Sequence, residues 1–408
     1  MHASEAIHVL SFNIYLNMTM AFLKRLDIDI EKLEVGTLID KLEYLIDMGG
    51  VEFHVCVLPF WFGNPDNGNY SVATSFMMLR PIGLNRCFFV KYLKNEVDSA
   101  ILDIRDEDFY GGGSAMKSKV YFSRDVTSDT VIKMYEVLER PLSGKVAAKV
   151  HSGEEGNQNY LRPSFWKPMI DKLGTTVVEC NTAYAGERNS TEKHKKLMKA
   201  HGWTDLFDVD IMDAEGPDLH IDIPNGIAIK ENQLGKNITN YDSMIVLAHF
   251  KGHPAGGYGG ALKQLSIGCA STEGKCIIHS AGFTRDQTIV WEHMADQDVF
   301  CEAMADAAKS VTDLFGDKVV YINIMANLSV DCDCCAVAED PCMADIGILS
   351  STDPVALDQA CMDLIYASDD PGRDHFIERV ESRHGIHTIE AAEQIGVGSR
   401  DYELIEID

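Results

Sequence analysis

The sequence lacks the features of exported and membrane-spanning proteins. Its 408 residues contain no run of about 18 apolar residues, and the first residues have neither the basic start nor the cleavage site of a signal peptide. Basic residues are also scarce, because 36 Lys and Arg face 63 Asp and Glu and leave a net charge of -27. Such a charge disfavours nonspecific binding to nucleic acid and to anionic membranes. We therefore expect a cytoplasmic protein with neither a nucleic-acid nor a membrane partner.

A disulfide framework and the common nucleotide-binding motifs are also missing. The 11 cysteines are odd in number and unevenly spaced, a pattern that favours reduced thiols in a reducing compartment. The glycine-rich segment AHFKGHPAGGYGGALKQLSIGCAS matches neither the Rossmann fingerprint nor the Walker A motif. The sequence thus indicates neither disulfide bonds nor a nucleotide site.

The chain has instead a dense group of cysteines, Cys332, Cys334, Cys335 and Cys342. Thiolates gathered this densely in a chain without export signals indicate a soft metal centre, either an iron–sulfur cluster or zinc. Side chains alternate along an extended strand, so we expect Cys332 and Cys334 to share one side and Cys335 to point away. The alternative is that some of the four are small buried apolar side chains.

Residues 110–116, which include three successive glycines, divide the chain into two parts. We expect residues 116–408 to form one α/β domain, because a strand pattern and a capped helix start directly after Met116. Residues 1–115 are an extra N-terminal segment of unknown role, with a helix predicted over 20–47. Three origins stay open for this segment: a natural domain, an engineered fusion through a Gly-Ser linker, or a start codon assigned too early.

Strand and helix patterns alternate in the second part. The predicted strands are 118–124, 145–151, 175–181, 243–250, 318–326 and 344–350, and the predicted helices are 128–140, 163–173, 190–201, 296–315, 353–368 and 387–395. Strands separated by helices pair in parallel, so the expected fold class is α/β, a layered, mostly parallel sheet flanked by helices. The alternation lapses between 207 and 235, where short strand-like pieces predict a small antiparallel excursion.

Polar side chains follow two of the predicted strands at the point where each strand ends. Ligands of open α/β sheets bind at this end of the strands, so we treat these side chains as candidate catalytic residues. They are Lys149, His151 and Glu154 after one strand and His249, Lys251 and His253 after the other. Imidazole and carboxylate groups suit acid–base chemistry, and a lysine can hold an anion. The alternative for each group is an ordinary exposed loop.

A distant cysteine completes the candidate metal site. Three local thiolates leave a four-iron cluster one ligand short, and Cys269 near the end of the glycine-rich segment could supply it. Arg188 is either an anion clamp or a solvated arginine, and Asp358 is either an acceptor behind the site or a structural carboxylate.

Five segments together resemble a known family, domain of unknown function 362, whose members look like iron–sulfur proteins. The matching segments are KVHSGEEGNQNY, ECNTAY followed by GER, HFKGHPAGGYGGALKQLSIGCAS, VDCDCC and DIGILSSTDPVALDQA, which cover most of residues 117–408 and none of 1–115. The resemblance implies a cluster around Cys332 and Cys334, with Cys269 in a matching segment. Many relatives carry an inserted ferredoxin module after the glycine-rich segment, whereas residues 280–296 contain no cysteine here. A redox role would therefore need an external electron donor.

These observations lead to two hypotheses. The first is a [4Fe–4S] protein with Cys269, Cys332, Cys334 and Cys342 as ligands, in which an enzyme site takes a small anionic substrate beside the cluster. Cys335 is the alternative fourth ligand, and a missing fourth thiolate would leave one iron open as a Lewis acid. The second is a non-catalytic binding module in which zinc or a cluster pins the cysteine loop and contributes to folding.

Overall fold

The computed structural model describes residues 117–216 and 218–407, together with the backbone of five earlier strands. The chain divides into two compact units, Met1–Met116 and Lys117–Asp408. In the first unit the described strands form one antiparallel sheet, in which each strand pairs with the next along the chain. They are β1 (Val9–Phe12), β2 (Phe53–Gly63), β3 (Tyr70–Pro81), β4 (Arg86–Leu93) and β5 (Glu96–Arg105). The helix predicted over residues 20–47 lies outside the described residues.

The second unit has twelve described strands, eight in one main sheet and four in two small antiparallel pairs. Its strands are β6 (Ser118–Ser123), β7 (Val146–Lys149), β8 (Thr176–Glu179), β9 (Val209–Ile211), β10 (Leu219–Asp222), β11 (Glu231–Leu234), β12 (Ser243–His249), β13 (Lys251–His253), β14 (Gly257–Gly259), β15 (Val319–Met325), β16 (Gly347–Ser351) and β17 (Tyr402–Glu406). The order in the main sheet is β17-β6-β16-β15-β12-β7-β8-β9. Strands β9, β8, β7, β12 and β15 run parallel, β16 is antiparallel to both of its neighbours, and β17 is parallel to β6.

The predicted fold class is confirmed. The main sheet is mostly parallel and is flanked by helices, and its central strands read VVYINIM and SMIVLAH because both of their faces are buried. The predicted antiparallel excursion is the hairpin of β10 and β11, and β13 and β14 form a second small antiparallel pair.

Ten helices are described in the second unit. They are α1 (Ser128–Glu136), α2 (Pro163–Leu173), α3 (Thr191–Ala200), α4 (Trp203–Leu206), α5 (Ala261–Cys269), α6 (Thr272–His279), α7 (Gln297–Phe315), α8 (Pro354–Ala367), α9 (Arg373–Ser382) and α10 (Gly385–Gln394). Local capping explains several of the starts. Asp353 accepts the N–H groups of Val355 and Ala356 just before α8, whose first residue is a proline. Within the described residues, no helix is both long and apolar enough to cross a membrane.

The helices cover the sheet from two sides, and each side has its own hydrophobic core. Because side chains alternate along a strand, Ala147 of β7 joins the core under α5, α7 and α8, whereas Ala148 joins the core under α1 and α2. By the same alternation, Val246 of β12 lies in the first of these cores and Leu247 in the second. The unit is therefore a three-layer α/β structure.

Every strand and helix predicted after residue 116 is present, with ends shifted by a few residues. Sequence patterns missed the helices α4, α5, α6 and α9 and the short strands β9, β13, β14 and β17. The reason is clearest for α5, which starts at Ala261 after four glycines and has no side-chain cap from its own segment. Its cap comes from Asp358 of α8, 97 residues further along the chain.

Strands β7, β8, β12 and β15 end at the same edge of the sheet because they are parallel. The chain passes from β7 to β8 on one side, and β12 lies against the other side of β7. Ligands of open α/β sheets bind in the crevice at such a switch point, outside the carboxyl ends of the strands. Lys149 and His249 are the last residues of the two strands that flank it.

Candidate metal centre

Residues 332–335 form a turn and not the extended segment that the alternation argument predicts. The N–H of Cys335 donates to the carbonyl of Cys332 at 2.9 Å, the closing bond of a β-turn. In this turn the thiol of Cys334 neighbours the thiols of both Cys332 and Cys335. Cys332 is fully buried, whereas the other two line a cavity. The turn therefore brings together the sulfurs of Cys332 and Cys334, and the Cys335 sulfur is not part of the group that lies within 4.8 Å.

Asp333 fixes this turn from the inside. Its carboxylate accepts hydrogen bonds from Nδ1 of His249 at 2.9 Å and lies 2.8 Å from Nζ of Lys251. Its backbone carbonyl accepts the N–H of Glu154 at 2.8 Å. Burial alone would raise the pKa of Asp333, but the charges of His249 and Lys251 hold it far below its usual range. Two predicted catalytic residues thus hold the segment between the cysteines.

The Cys332 sulfur is surrounded by hydrogen-bond donors. Nζ of Lys263 donates to it at 2.8 Å, and the N–H of Cys334 approaches at 3.5 Å. A ring nitrogen of His253 also lies within 4.8 Å of it. Burial raises the pKa of the Cys332 thiol, but its bond with Cys334 and the charge of Lys263 outweigh burial and hold that pKa well below the usual range. The site therefore stabilises a thiolate at this position.

His253 completes a group that could hold a metal ion. A ring nitrogen of His253 and the sulfurs of Cys332 and Cys334 all lie within 4.8 Å of one another. Nδ1 of His253, however, accepts the N–H groups of Ala255 at 3.1 Å and Gly256 at 2.9 Å. The neutral ring therefore carries its proton on Nε2, the nitrogen that lies 3.7 Å from the Cys334 sulfur. In this tautomer His253 donates toward the sulfurs.

The other two predicted ligands lie outside this group. Cys269 is buried at the end of α5, where its Sγ donates to the carbonyl of Gln264 at 3.4 Å and burial raises its pKa to about 11. Sγ of Cys342 donates to the carbonyl of Leu328 at 3.3 Å. Of the four predicted ligands, the structure brings together Cys332 and Cys334, and Cys335 lies beside Cys334 in the same turn.

Lys149 and Glu179 form a buried ion pair at the ends of β7 and β8. Nζ of Lys149 donates to Oε2 of Glu179 at 2.8 Å and to the side chain of Gln264 at 2.9 Å. Burial raises the pKa of Glu179, but the charge of Lys149 and of its other neighbours lowers it well below the usual range. A side chain on Gly268 would come within 2.8 Å of the Lys149 stem, which explains the glycine in α5.

Glu154 belongs to a second buried group with Arg188 and Tyr184. The guanidinium of Arg188 lies 3.4 Å from Oε2 of Glu154 and donates to the Tyr184 hydroxyl at 2.6 Å. Although burial raises the pKa of Glu154, Arg188 and neighbouring hydrogen bonds lower it overall. Arg188 is therefore held by an ion pair and is not a freely solvated side chain.

A cavity of about 460 Å³ opens beside the cysteine turn. This volume is in the usual range for small-molecule sites. Its lining contains one carboxylate, Glu179, and five basic side chains, Lys149, Arg188, Lys251, Lys263 and Lys275. The net charge of the chain is -27, so this basic cavity differs from the protein as a whole. Basic side chains in the cavity wall attract anions and disfavour cations.

Asp358 fixes the start of α5 and thereby the positions of Lys263 and Gln264 in the cavity wall. Its buried carboxylate accepts the N–H groups of Ala261 at 2.9 Å and Leu262 at 3.0 Å, which caps α5 from another helix. Burial raises the pKa of Asp358 to about 6. A side chain on Gly260 would approach this carboxylate to 2.5 Å, so the glycine-rich segment is needed for packing at this point. Asp358 is a structural carboxylate that positions residues of the site.

Sequence reasoning did not identify Asp333, Glu179, Lys275 and His279 as site residues. Asp333 carried a signal, since it lies between two candidate ligands. Lys275 and His279 are four residues apart and therefore share one face of a helix, but α6 was not predicted.

Comparisons with known proteins agree with this architecture at the level of family. The family model described as Domain of unknown function (DUF362) matches residues 146–363. Comparison with curated proteins gave no match.

Two solved structures share weak similarity with the chain. The lactate racemase apoprotein from Thermoanaerobacterium thermosaccharolyticum is 17% identical with a TM-score of 0.30, over 58% of this chain and 54% of that one. A structural-genomics target protein from Thermotoga maritima is 11% identical with a TM-score of 0.34, over 65% of this chain and 58% of that one. The chain thus spans little more than half the length of either structure, and similarity this weak supports no conclusion about function.

Proposed function

The chain belongs to the family described as Domain of unknown function (DUF362), and from the geometry of its site we propose a [4Fe–4S] protein that acts as an enzyme on a small anionic substrate. The observation that carries the proposal is the position of the cysteine turn at the wall of a cavity with basic lining. Cluster and substrate would then lie side by side at the carboxyl edge of the sheet.

The cysteine turn has the chemistry that such a cluster requires. Cys332, Cys334 and Cys335 supply three neighbouring thiols, and thiolates are the usual ligands of iron–sulfur clusters. A thiolate-bound cluster is anionic and is stabilised by N–H donors to its sulfurs, a role suited to Lys263 and His253. Because Cys334 and Cys335 line the cavity, a cluster on these residues would border the substrate space.

A bound cluster with three protein thiolates would supply a Lewis-acidic iron at its open position. The protein's own residues supply the rest of the site. Lys263 and the other basic side chains attract the anion, and buried ion pairs hold Lys149, Lys251 and Arg188 in place. The same residues keep the cavity walls fixed, which reduces the cost of ordering a bound substrate.

A mononuclear zinc ion on Cys332, Cys334 and His253 is the second candidate, because these three ligand atoms are close enough to share one ion. The tautomer of His253 argues against it. A metal at Nε2 of His253 would require the ring proton to sit on Nδ1. Two backbone N–H groups already donate to Nδ1, so a proton there would clash with them. The geometry therefore favours His253 as a donor to thiolates.

The choice between an enzyme and a metal-stabilised module cannot be tested at His249 or Lys251. Both side chains bind Asp333, so their removal damages the turn under either hypothesis. Lys263 presents a similar difficulty because it contacts Cys332. Cavity residues away from the turn provide the cleaner test.

Metal and acid-labile sulfide should be measured per chain after anaerobic purification of the full-length protein and serine variants. We expect iron and sulfide in the wild type and their loss in Cys332→Ser and Cys334→Ser. Cys335→Ser should reduce them, whereas Cys361→Ser, a buried thiol of α8, serves as the matched control. A colourless protein with stoichiometric zinc and no sulfide would refute the cluster. Unchanged iron in Cys334→Ser would refute the ligand assignment.

A further inference from the structure

Helix α6 presents two side chains to the cavity that the metal site does not use. Lys275 and His279 are separated by one helical turn and both line the cavity. Three of the other basic lining residues have a carboxylate partner within 4.0 Å: Lys149 with Glu179, Lys251 with Asp333, and Arg188 with Glu154. These two residues of α6 therefore form a distinct part of the wall.

Lys275 is a buried cation that forms no direct ion pair within the described residues, and Asp213 and Glu179 act on it from farther away. It is 5% exposed, and its Nζ donates to the backbone carbonyl of Ala270 at 2.5 Å. Among the described residues, no carboxylate oxygen lies within ion-pair distance of it. Burial lowers its pKa, which shows the cost of keeping this charge away from water. A bound anion in the cavity would offset that cost.

His279 has a fixed tautomer with one nitrogen available. Its Nδ1 lies 2.7 Å from the carbonyl of Lys275, an acceptor, so Nδ1 carries the proton and donates. Nε2 is then an acceptor, and within the part of the chain that the structure describes it has no hydrogen-bond partner. Stacking against Phe300 at 5.0 Å and an edge contact with Trp291 at 5.1 Å hold the ring in this orientation.

Burial keeps His279 neutral, since it lowers the pKa of the imidazole to about 4. A neutral imidazole with a free Nε2 accepts a hydrogen bond from a ligand hydroxyl or amine. The basic lining of the cavity disfavours an ammonium group at this position. The complementary ligand group is therefore a hydroxyl.

We propose that Lys275 and His279 recognise a small carboxylate bearing a hydroxyl group, the carboxylate pairing with Lys275 Nζ and the hydroxyl donating to His279 Nε2. This inference rests on the proposed function, because it names the substrate class of the same cavity. A phosphate ester fits less well. The helix N-terminus at this cavity, which would bind phosphate, is that of α5, and Asp358 already occupies its N–H groups.

Calorimetric titration of the full-length metal-loaded protein with glycolate, acetate and inorganic phosphate tests the proposal. Glycolate and acetate differ by the hydroxyl alone. The wild type should bind glycolate about tenfold more tightly than acetate, the worth of one hydrogen bond in a buried site, and phosphate should bind more weakly than either. Lys275→Gln should weaken both carboxylates about tenfold or more, whereas Lys275→Arg should retain them within a few-fold.

His279→Phe preserves the stacked ring and removes Nε2, so it should abolish the preference for glycolate while acetate binding stays unchanged. Lys196→Gln, on the exposed face of α3, is the matched charge control and should bind like the wild type. The proposal is overturned if the wild type binds no carboxylate, if Lys275→Gln binds normally, or if His279→Phe keeps the preference. Metal content is measured on every variant. If the proposed metal site is wrong, the wild type itself lacks iron and sulfide, whereas failure of the carboxylate proposal alone leaves the metal content intact.

Discussion

The substitution Asp333→Asn should destabilise the second unit even though it changes no cysteine. Asn retains one carbonyl oxygen but places an NH₂ donor against either His249 or Lys251, both of which are buried donors. The change leaves the positive charge of Lys251 without its carboxylate, whose Oδ2 lies 2.8 Å away. Breaking one side of a buried ion pair costs about 3–5 kcal/mol, so we expect a loss in that range.

The assay is urea unfolding in which hydrogen exchange of peptides from β12 and β15 is the readout, so that only the second unit is measured. Asp340→Asn changes an exposed carboxylate in the same loop and should alter the unfolding free energy by at most about 0.5 kcal/mol. Metal content should fall in Asp333→Asn but not in the control, because Asp333 holds the turn between Cys332 and Cys334. A destabilisation no larger than that of Asp340→Asn would refute the role assigned to Asp333.

Three further results are expected. Asp358→Ala removes the cap of α5 and leaves the N–H groups of Ala261 and Leu262 unpaired, so urea unfolding should show a loss of about 2–4 kcal/mol. The pKa of His279 is about 4 in the folded protein and about 6.5 in an unfolded chain, so the unfolded chain takes up the proton first as the pH falls. The stability associated with the buried neutral imidazole is therefore complete above pH 6.5 and is lost as the pH falls toward 4. Unfolding free energies measured between pH 7 and 4 should therefore fall by about 3 kcal/mol more in the wild type than in His279→Phe. Finally, a protein starting at Met116 should melt cooperatively and carry the same metal per chain as the full-length protein, and insolubility or metal loss would contradict this.

Sequence patterns predicted the sheet well because its strands and helices carry local signals. Apolar runs such as VVYINIM are long enough to mark buried strands, and Asp353 with Pro354 marks the start of α8 within two residues. The strand ends were also predicted correctly, since Lys149 and His249 end their strands and flank the same crevice.

The contacts inside the site depend on partners far apart in sequence and could not be predicted in the same way. Helix α5 follows four glycines and is capped by Asp358, so no local signal marks its start. The cysteine segment resembled an extended strand, but Asp333 is bound by His249 and Lys251 and the chain turns around it. These tertiary contacts decide which sulfurs meet, and they explain why Cys332 and Cys334 come together while Cys269 packs in the core.

Anomalous diffraction from crystals of the anaerobically purified protein, recorded at the iron and zinc edges, tests the central claim most directly. The account predicts an iron-edge peak bounded by the sulfurs of Cys332, Cys334 and Cys335 and bordering the cavity, with His253 donating to sulfur through Nε2. A zinc-edge peak coordinated by Cys332, Cys334 and His253, or an iron peak beside Cys269 in the core, would contradict it.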